Sequence, residues 1–269
     1  MAGLATPAVR ASFLTASARR GLSSEVFRWA VAPSMVGWGG FLLFAANGIA
    51  LQFCLSPATG EFQGVVSAFR AALTGLDFRT LGFNWALMLV AMMPPLLIPM
   101  ITYVSAKSFV DRRDLAIGLF VGAYASVWVA ATATAVLVLL ALQTLLMVAG
   151  LSFAGGLVGA SLAALWQISD AKRRALNRRH GVKPLRASGG AANVDVLAFG
   201  GLHGWRCVRA CAPTMFLPML GAHGLMTMAV IFIVLLGERM TPRPRQLGAA
   251  VLLVLSGILT LAAPHAAFG

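Results

Sequence analysis

Cys207, Cys211, Met215, Met219 and His223 recur at four-residue intervals late in the chain. On a helix, residues i and i+4 lie one above the other, so this spacing builds a stripe of sulfur that ends in an imidazole. Thiolate and thioether donors select Cu(I), with zinc as the usual competitor for Cys and His. A structural zinc site draws on four Cys or His at closed spacing, whereas Met dominates here. The Cys207-x-x-x-Cys211 spacing also differs from the C-x-x-C of redox and zinc motifs. A lone Met in an apolar helix is explained by packing, because its thioether fills irregular gaps. The chemistry in question is therefore soft-metal binding by the combined stripe.

The elements that carry these donors are set by composition. The chain has 269 residues, 59% hydrophobic and only 11% charged. Several apolar runs reach the roughly 20 residues a bilayer crossing needs. The expected fold is an all-α polytopic transmembrane bundle within a lipid bilayer. It comprises a cytoplasmic tail at 1–29 and a single membrane domain at 30–265, with a basic cytoplasmic loop at 169–194. Net charge +13 does not point to nucleic acid, because the basic residues lie between apolar runs and no nucleic-acid-reading module is present. The 170–193 charge run reads as a solvated loop. Three Cys cannot form a secreted-type disulfide framework.

In chain order the expected crossings lie at about 31–55, 83–104, 115–139 and 145–166, with a surface helix near 62–73. In the second, Pro94 and Pro95 remove backbone donors in mid-membrane, which predicts a kink. Gly118, Gly122, Ala123 and Ser126 form a small-residue packing face on the third. The stretch 194–238 is too long for one crossing. The tail, the 105–114 loop and the 169–194 loop carry four, three and seven Lys/Arg, against two in the 56–82 loop. Another three Arg follow at 239–245. Keeping basic loops inside requires two crossings, 195–219 and 224–238, turning near 220–224, and a last one at 247–264. Seven spans, N-terminus inside and C-terminus outside, are expected; six is the alternative.

This topology lets sulfur converge. Cys207 falls near mid-membrane, and Cys211, Met215 and Met219 climb outward at about 6 Å per step. His223 reaches the external turn, either as an entry ligand or as an ordinary interfacial imidazole. Met88 and Met92 descend from outside in the second span to the same depth. Met226 and Met228 do so in the sixth, where they point to nearly opposite faces, so one of them joins. The candidate metal set is Cys207, Cys211, Met215, Met88, Met92, His223 and Met228. Arg206 and Arg209 must face the interior, pair or snorkel. Glu238 is either an interfacial charge or a buried partner for a basic residue.

These residues resemble a bacterial family of predicted metal-binding integral membrane proteins. The resemblance rests on Trp85-Ala86-Leu87-Met88, Ala91-Met92-Met93-Pro94, and Gly122-Ala123-Tyr124 with Trp128. It continues through Cys207, Cys211, Met215, Gly221, Met228 and Glu238-Arg239, covering about 83–260. His223 stands where the family tends to have Met, Thr227 where it has Trp, and Ala212-Pro213 where it has Trp-Ala. The basic 172–186 stretch replaces a Cys-bearing loop. The family includes a membrane copper chaperone for a tyrosinase-type enzyme, so the resemblance implies copper handling.

The expected function is binding of Cu(I) by Cys and Met in the outer half of a bacterial inner membrane. Delivery would be to a copper-dependent enzyme or a periplasmic copper carrier. The alternative is a non-catalytic structural or assembly subunit of a larger membrane complex. No enzymatic carboxylate–His constellation or nucleotide-binding G-x-x-x-x-G-K-[ST] loop is visible, so an enzyme is not expected.

Overall fold

The computed structural model describes residues 24–47, 65–74, 77–151, 155–177, 184–220, 225–240 and 246–262, and these are helical with short connections. Helix α1 (Ala32–Ala46) is preceded by a helical turn (Ser24–Val26) and a π-helical turn (Phe27–Val31). Next come α2 (Val65–Thr74), α3 (Phe78–Lys107) and α4 (Arg113–Val148). They are followed by α5 (Gly155–Ile168), α6 (Asp170–Asn177) and α7 (Gly190–Phe216), which tightens into a 3-10 turn at Leu217–Leu220. The chain ends on α8 (Leu225–Met240) and α9 (Gln246–Ala262). The 194–238 stretch is thus divided between α7 and α8, while His223 at the expected turn lies outside the described residues.

Helix α3 starts on Asp77, whose side chain accepts from the Thr80 hydroxyl and the Arg79 N–H. These bonds hold the exposed Asp77 carboxyl below the usual carboxylate range. Helix α3 runs as one element through Pro94, Pro95 and Pro99. A partner for the carbonyl that Pro95 leaves free lies on α1. Pro95 has no N–H to give the carbonyl of Ala91, four residues back. The buried Ser34 hydroxyl donates to that carbonyl at 2.6 Å instead. Gly37, one turn on, allows the contact: a Cβ there would lie 2.6 Å from the Ala91 backbone. Ser34→Ala is expected to cost about 1–3 kcal/mol, the penalty of an unsatisfied buried acceptor. In a Pro95→Ala background, which restores the N–H, the cost should shrink, as a double-mutant cycle of thermal stabilities would measure.

The 169–194 segment also differs from the expected solvated loop. Residues 170–177 form α6, with Lys172 and Leu176 buried one turn apart while Arg173 and Arg174 stay exposed. A charged group is buried there because α8 presents Glu238 to it. Among the described residues, Arg79–Lys107 and Val110–Val148 are long and apolar enough to cross a membrane. Gly155–Ile168 and Gln246–Ile258 are apolar but shorter. Helix α7 is long, but Asp195, His203, Arg206 and Arg209 dilute its apolar character. Length and composition alone thus account for two of the seven expected crossings.

Candidate functional site

Three rungs of contact define how α3, α4 and α7 carry the donors. At one end, Tyr103 and Phe120 both pack on Phe199, with ring centroids 5.8 and 5.4 Å away. In the middle, the Tyr124 hydroxyl donates to Cys207 Sγ at 3.2 Å and lies 3.3 Å from Met93 Sδ. At the far end, Trp85 and Trp128 both pack on Phe216, at 5.0 and 6.0 Å. Helices α4 and α7 therefore run parallel, and α3 runs against both. Gly200 and Gly204 allow the close approach of α7 to α4. A Cβ at Gly200 would meet the Phe120 carbonyl at 2.5 Å, and one at Gly204 the Tyr124 carbonyl at 3.1 Å.

On this ladder Cys207 and Cys211 face each other with sulfurs 3.8 Å apart, both buried. Met88 and Met92 fall on α3 between the middle and far rungs, the interval that Cys211 and Met215 occupy on α7. All four are buried in one continuous core with Met93 and Met219. Helix α8 runs against α7, since Arg239 Nη2 lies 3.7 Å from Cys207 Sγ and 3.5 Å from His203 Nε2. Met228, eleven residues earlier, is therefore about 16 Å further along the bundle, level with Met219 rather than with Cys207. It is buried whereas Met226 is 78% exposed, so only Met228 of that pair faces the core. His203 sits one turn below Cys207 among Phe120, Tyr124 and Phe199, with ring centroids 6.0–6.2 Å away.

A second polar group backs the thiols. Lys172 Nζ lies 3.0 Å from Glu238 Oε2 and donates to the Ala210 carbonyl at 2.7 Å. Gln167 Nε2 donates to Glu238 Oε1, and Thr214 Oγ1 donates to Gln167 Oε1 at 3.3 Å. Trp166 Nε1 also reaches the Ala210 carbonyl, at 3.3 Å. The network ties α5, α6 and α8 to the residue next to Cys211.

The donor set is soft, dry and sulfur-rich. With metal–thiolate bonds of about 2.3 Å, one ion could touch both sulfurs across 3.8 Å at an angle of about 110°, bent enough to leave room for further ligands. Among the described residues no three His, Cys, Asp or Glu side chains are grouped for a metal. A family model described as a copper chaperone, PpoB2, matches residues 82–261, well over half of the chain. The chain belongs to the PpoB2 copper chaperone family. No curated protein and no solved structure matched it.

The PpoB2 match spans the Cys pair, Met88, Met92, Met93, Met215 and the Lys172–Glu238 network, and leaves out α1 and α2. Several residues around the Cys pair escaped sequence reasoning. Met93 touches Tyr124, but its spacing sets it apart from the Met88/Met92 turn. The cation beside Cys207 is Arg239, whereas Arg206 is half-buried and Arg209 exposed. The signal for Lys172 was Glu238 itself, a carboxylate closing an apolar helix that needed a buried cation.

Proposed function

We propose that this PpoB2-family protein is a seven-span protein of the bacterial cytoplasmic membrane, N-terminus in the cytoplasm and C-terminus in the periplasm. It accepts Cu(I) on the outer side and passes it to a copper-dependent enzyme or periplasmic copper carrier. The observation that carries this reading is the buried Cys207–Cys211 pair, 3.8 Å apart and set against a Met-lined core within the region matched by the copper chaperone family. Cys207 and Cys211 are the tight ligands, binding as thiolates and releasing their protons to water. Met215, Met88 and Met92 supply weaker thioethers, Met228 lies on the outward path, and His223 is the entry ligand this reading assigns. A graded series of this kind suits a carrier, because an ion moves between weak thioethers by ligand exchange without being stranded. The protein's part is binding and transfer, not catalysis. The experiment is the copper content of the detergent-purified chain after loading with Cu(I) under reductant: about one ion per chain is expected. A chain that retains no copper after desalting overturns the reading.

A further inference from the structure

The spacing of the thiols does not by itself choose a metal, because zinc and Cu(I) can both bridge 3.8 Å between two sulfurs. Charge can choose. Two carboxylates or cations near a buried centre matter only if they are not already cancelled. Lys172 and Glu238 cancel each other at 3.0 Å, with side chains 0% and 2% exposed. Arg239 is different. Among the described residues it makes no ion pair, and its Nη2 is directed at His203 Nε2 and Cys207 Sγ. Its Nε is buried without a hydrogen-bond partner. A guanidinium stays charged at any physiological pH, so this is one fixed positive charge against the thiol pair.

We infer that Arg239 is the residue that makes the Cys207–Cys211 centre selective for a monovalent soft cation over a divalent one; this rests on the Cu(I)-binding reading above. Two thiolates, one Cu(I) and one guanidinium sum to zero. Two thiolates, one Zn(II) and the same guanidinium leave one uncompensated positive charge in a dry core, where unpaired charge is strongly disfavoured. Binding either ion displaces the same two protons to solvent, so the difference lies in the charge left behind. Neutral Met ligands leave that balance unaltered, and a His ligand would too. Arg206 and Arg239 are both half-buried and Arg209 is exposed, so burial does not single Arg239 out; what does is its Nη2, 3.7 Å from Cys207 Sγ.

The test uses the full-length chain in detergent with Cu(I), Ag(I) and Zn(II) as probes, each measured by competition with a chelator. Arg239→Gln removes the charge and Arg239→Lys keeps it. In Arg239→Gln the ratio of Cu(I) to Zn(II) affinity should fall at least about tenfold, and the ratio of Ag(I) to Zn(II) with it; Arg239→Lys should retain most of the wild-type ratio. An unchanged ratio in Arg239→Gln, or an equal fall in Arg239→Lys, overturns the inference. A measurement on the wild type needs no variant to fold: Ag(I)-loaded protein should resist displacement by a tenfold excess of Zn(II), and ready displacement overturns it. A wild type that binds Zn(II) but neither Cu(I) nor Ag(I) removes the proposed function itself. Normal Cu(I) binding with no effect of Arg239 removes only the charge argument.

Discussion

Replacing Glu238 with alanine should destabilise the chain by about 3–5 kcal/mol, the cost of breaking a buried ion pair and leaving one charge without its partner. Lys172 is fully buried, and after the change its ammonium would keep only the Ala210 carbonyl as an acceptor. Gln167 would also lose the Oε1 it donates to, so the damage would reach Thr214 and α7. Lys172→Met should be similarly harmful, because it removes the ammonium 3.0 Å from the buried Glu238 carboxylate. The informative variant is the double change Lys172→Met with Glu238→Leu. Apolar replacement of a whole buried pair is often neutral or stabilising, so most of the loss should return. Thermal unfolding in detergent, followed by helical circular dichroism, reads all three. If the double variant proves no more stable than Glu238→Ala, the network holds the fold through something other than charge compensation.

The helical fold and the copper chaperone family were legible in the sequence, because both depend on patterns that survive without tertiary contacts. Apolar runs marked α3, α4 and α9, and the charge count put a turn in the 194–238 stretch where α7 and α8 in fact part. The consequence of Pro95 cannot be read within one helix. The acceptor that Pro95 abandons is satisfied from α1, fifty-seven positions away, by Ser34. Lys172 was misread for a similar reason. A run of basic residues looks solvated as a whole, yet the helical period separates Lys172 and Leu176 from Arg173 and Arg174 and turns the first two inward. Met93 and Arg239 share the lesson: each acquires its meaning from one atom on another helix, Tyr124 Oη and Cys207 Sγ. The i to i+4 rule found the stripe on α7 but could not say which residues of α3 and α8 would face it.

Cys207→Ser combined with Cys211→Ser should reduce bound copper from about one ion per chain to background. Serine keeps the size but offers a hard, neutral oxygen in place of a soft thiolate, and the remaining thioethers bind too weakly to retain the ion through desalting. The single variants separate the two sulfurs. Cys207 receives the Tyr124 hydroxyl and faces Arg239, while Cys211 lies against Cys207 Sγ, so Cys207→Ser should lose more copper affinity than Cys211→Ser. Each introduces a buried hydroxyl that costs about 1–3 kcal/mol if unpaired, so Cys→Ala versions are the control for stability. Met92→Leu and Met215→Leu complete the series. Both are close to volume-conserving and should cost less than about 1.5 kcal/mol in stability. Copper affinity should nevertheless fall in both, by less than in either Cys variant, because a thioether is removed from a site whose thiols already bend the metal toward further ligands. Chelator competition and elemental analysis on the same samples distinguish the outcomes. Copper content that follows thermal stability across the series would mean the sulfurs only pack. Copper that falls in the order Met, Cys211, Cys207 while stability stays level would mean they bind.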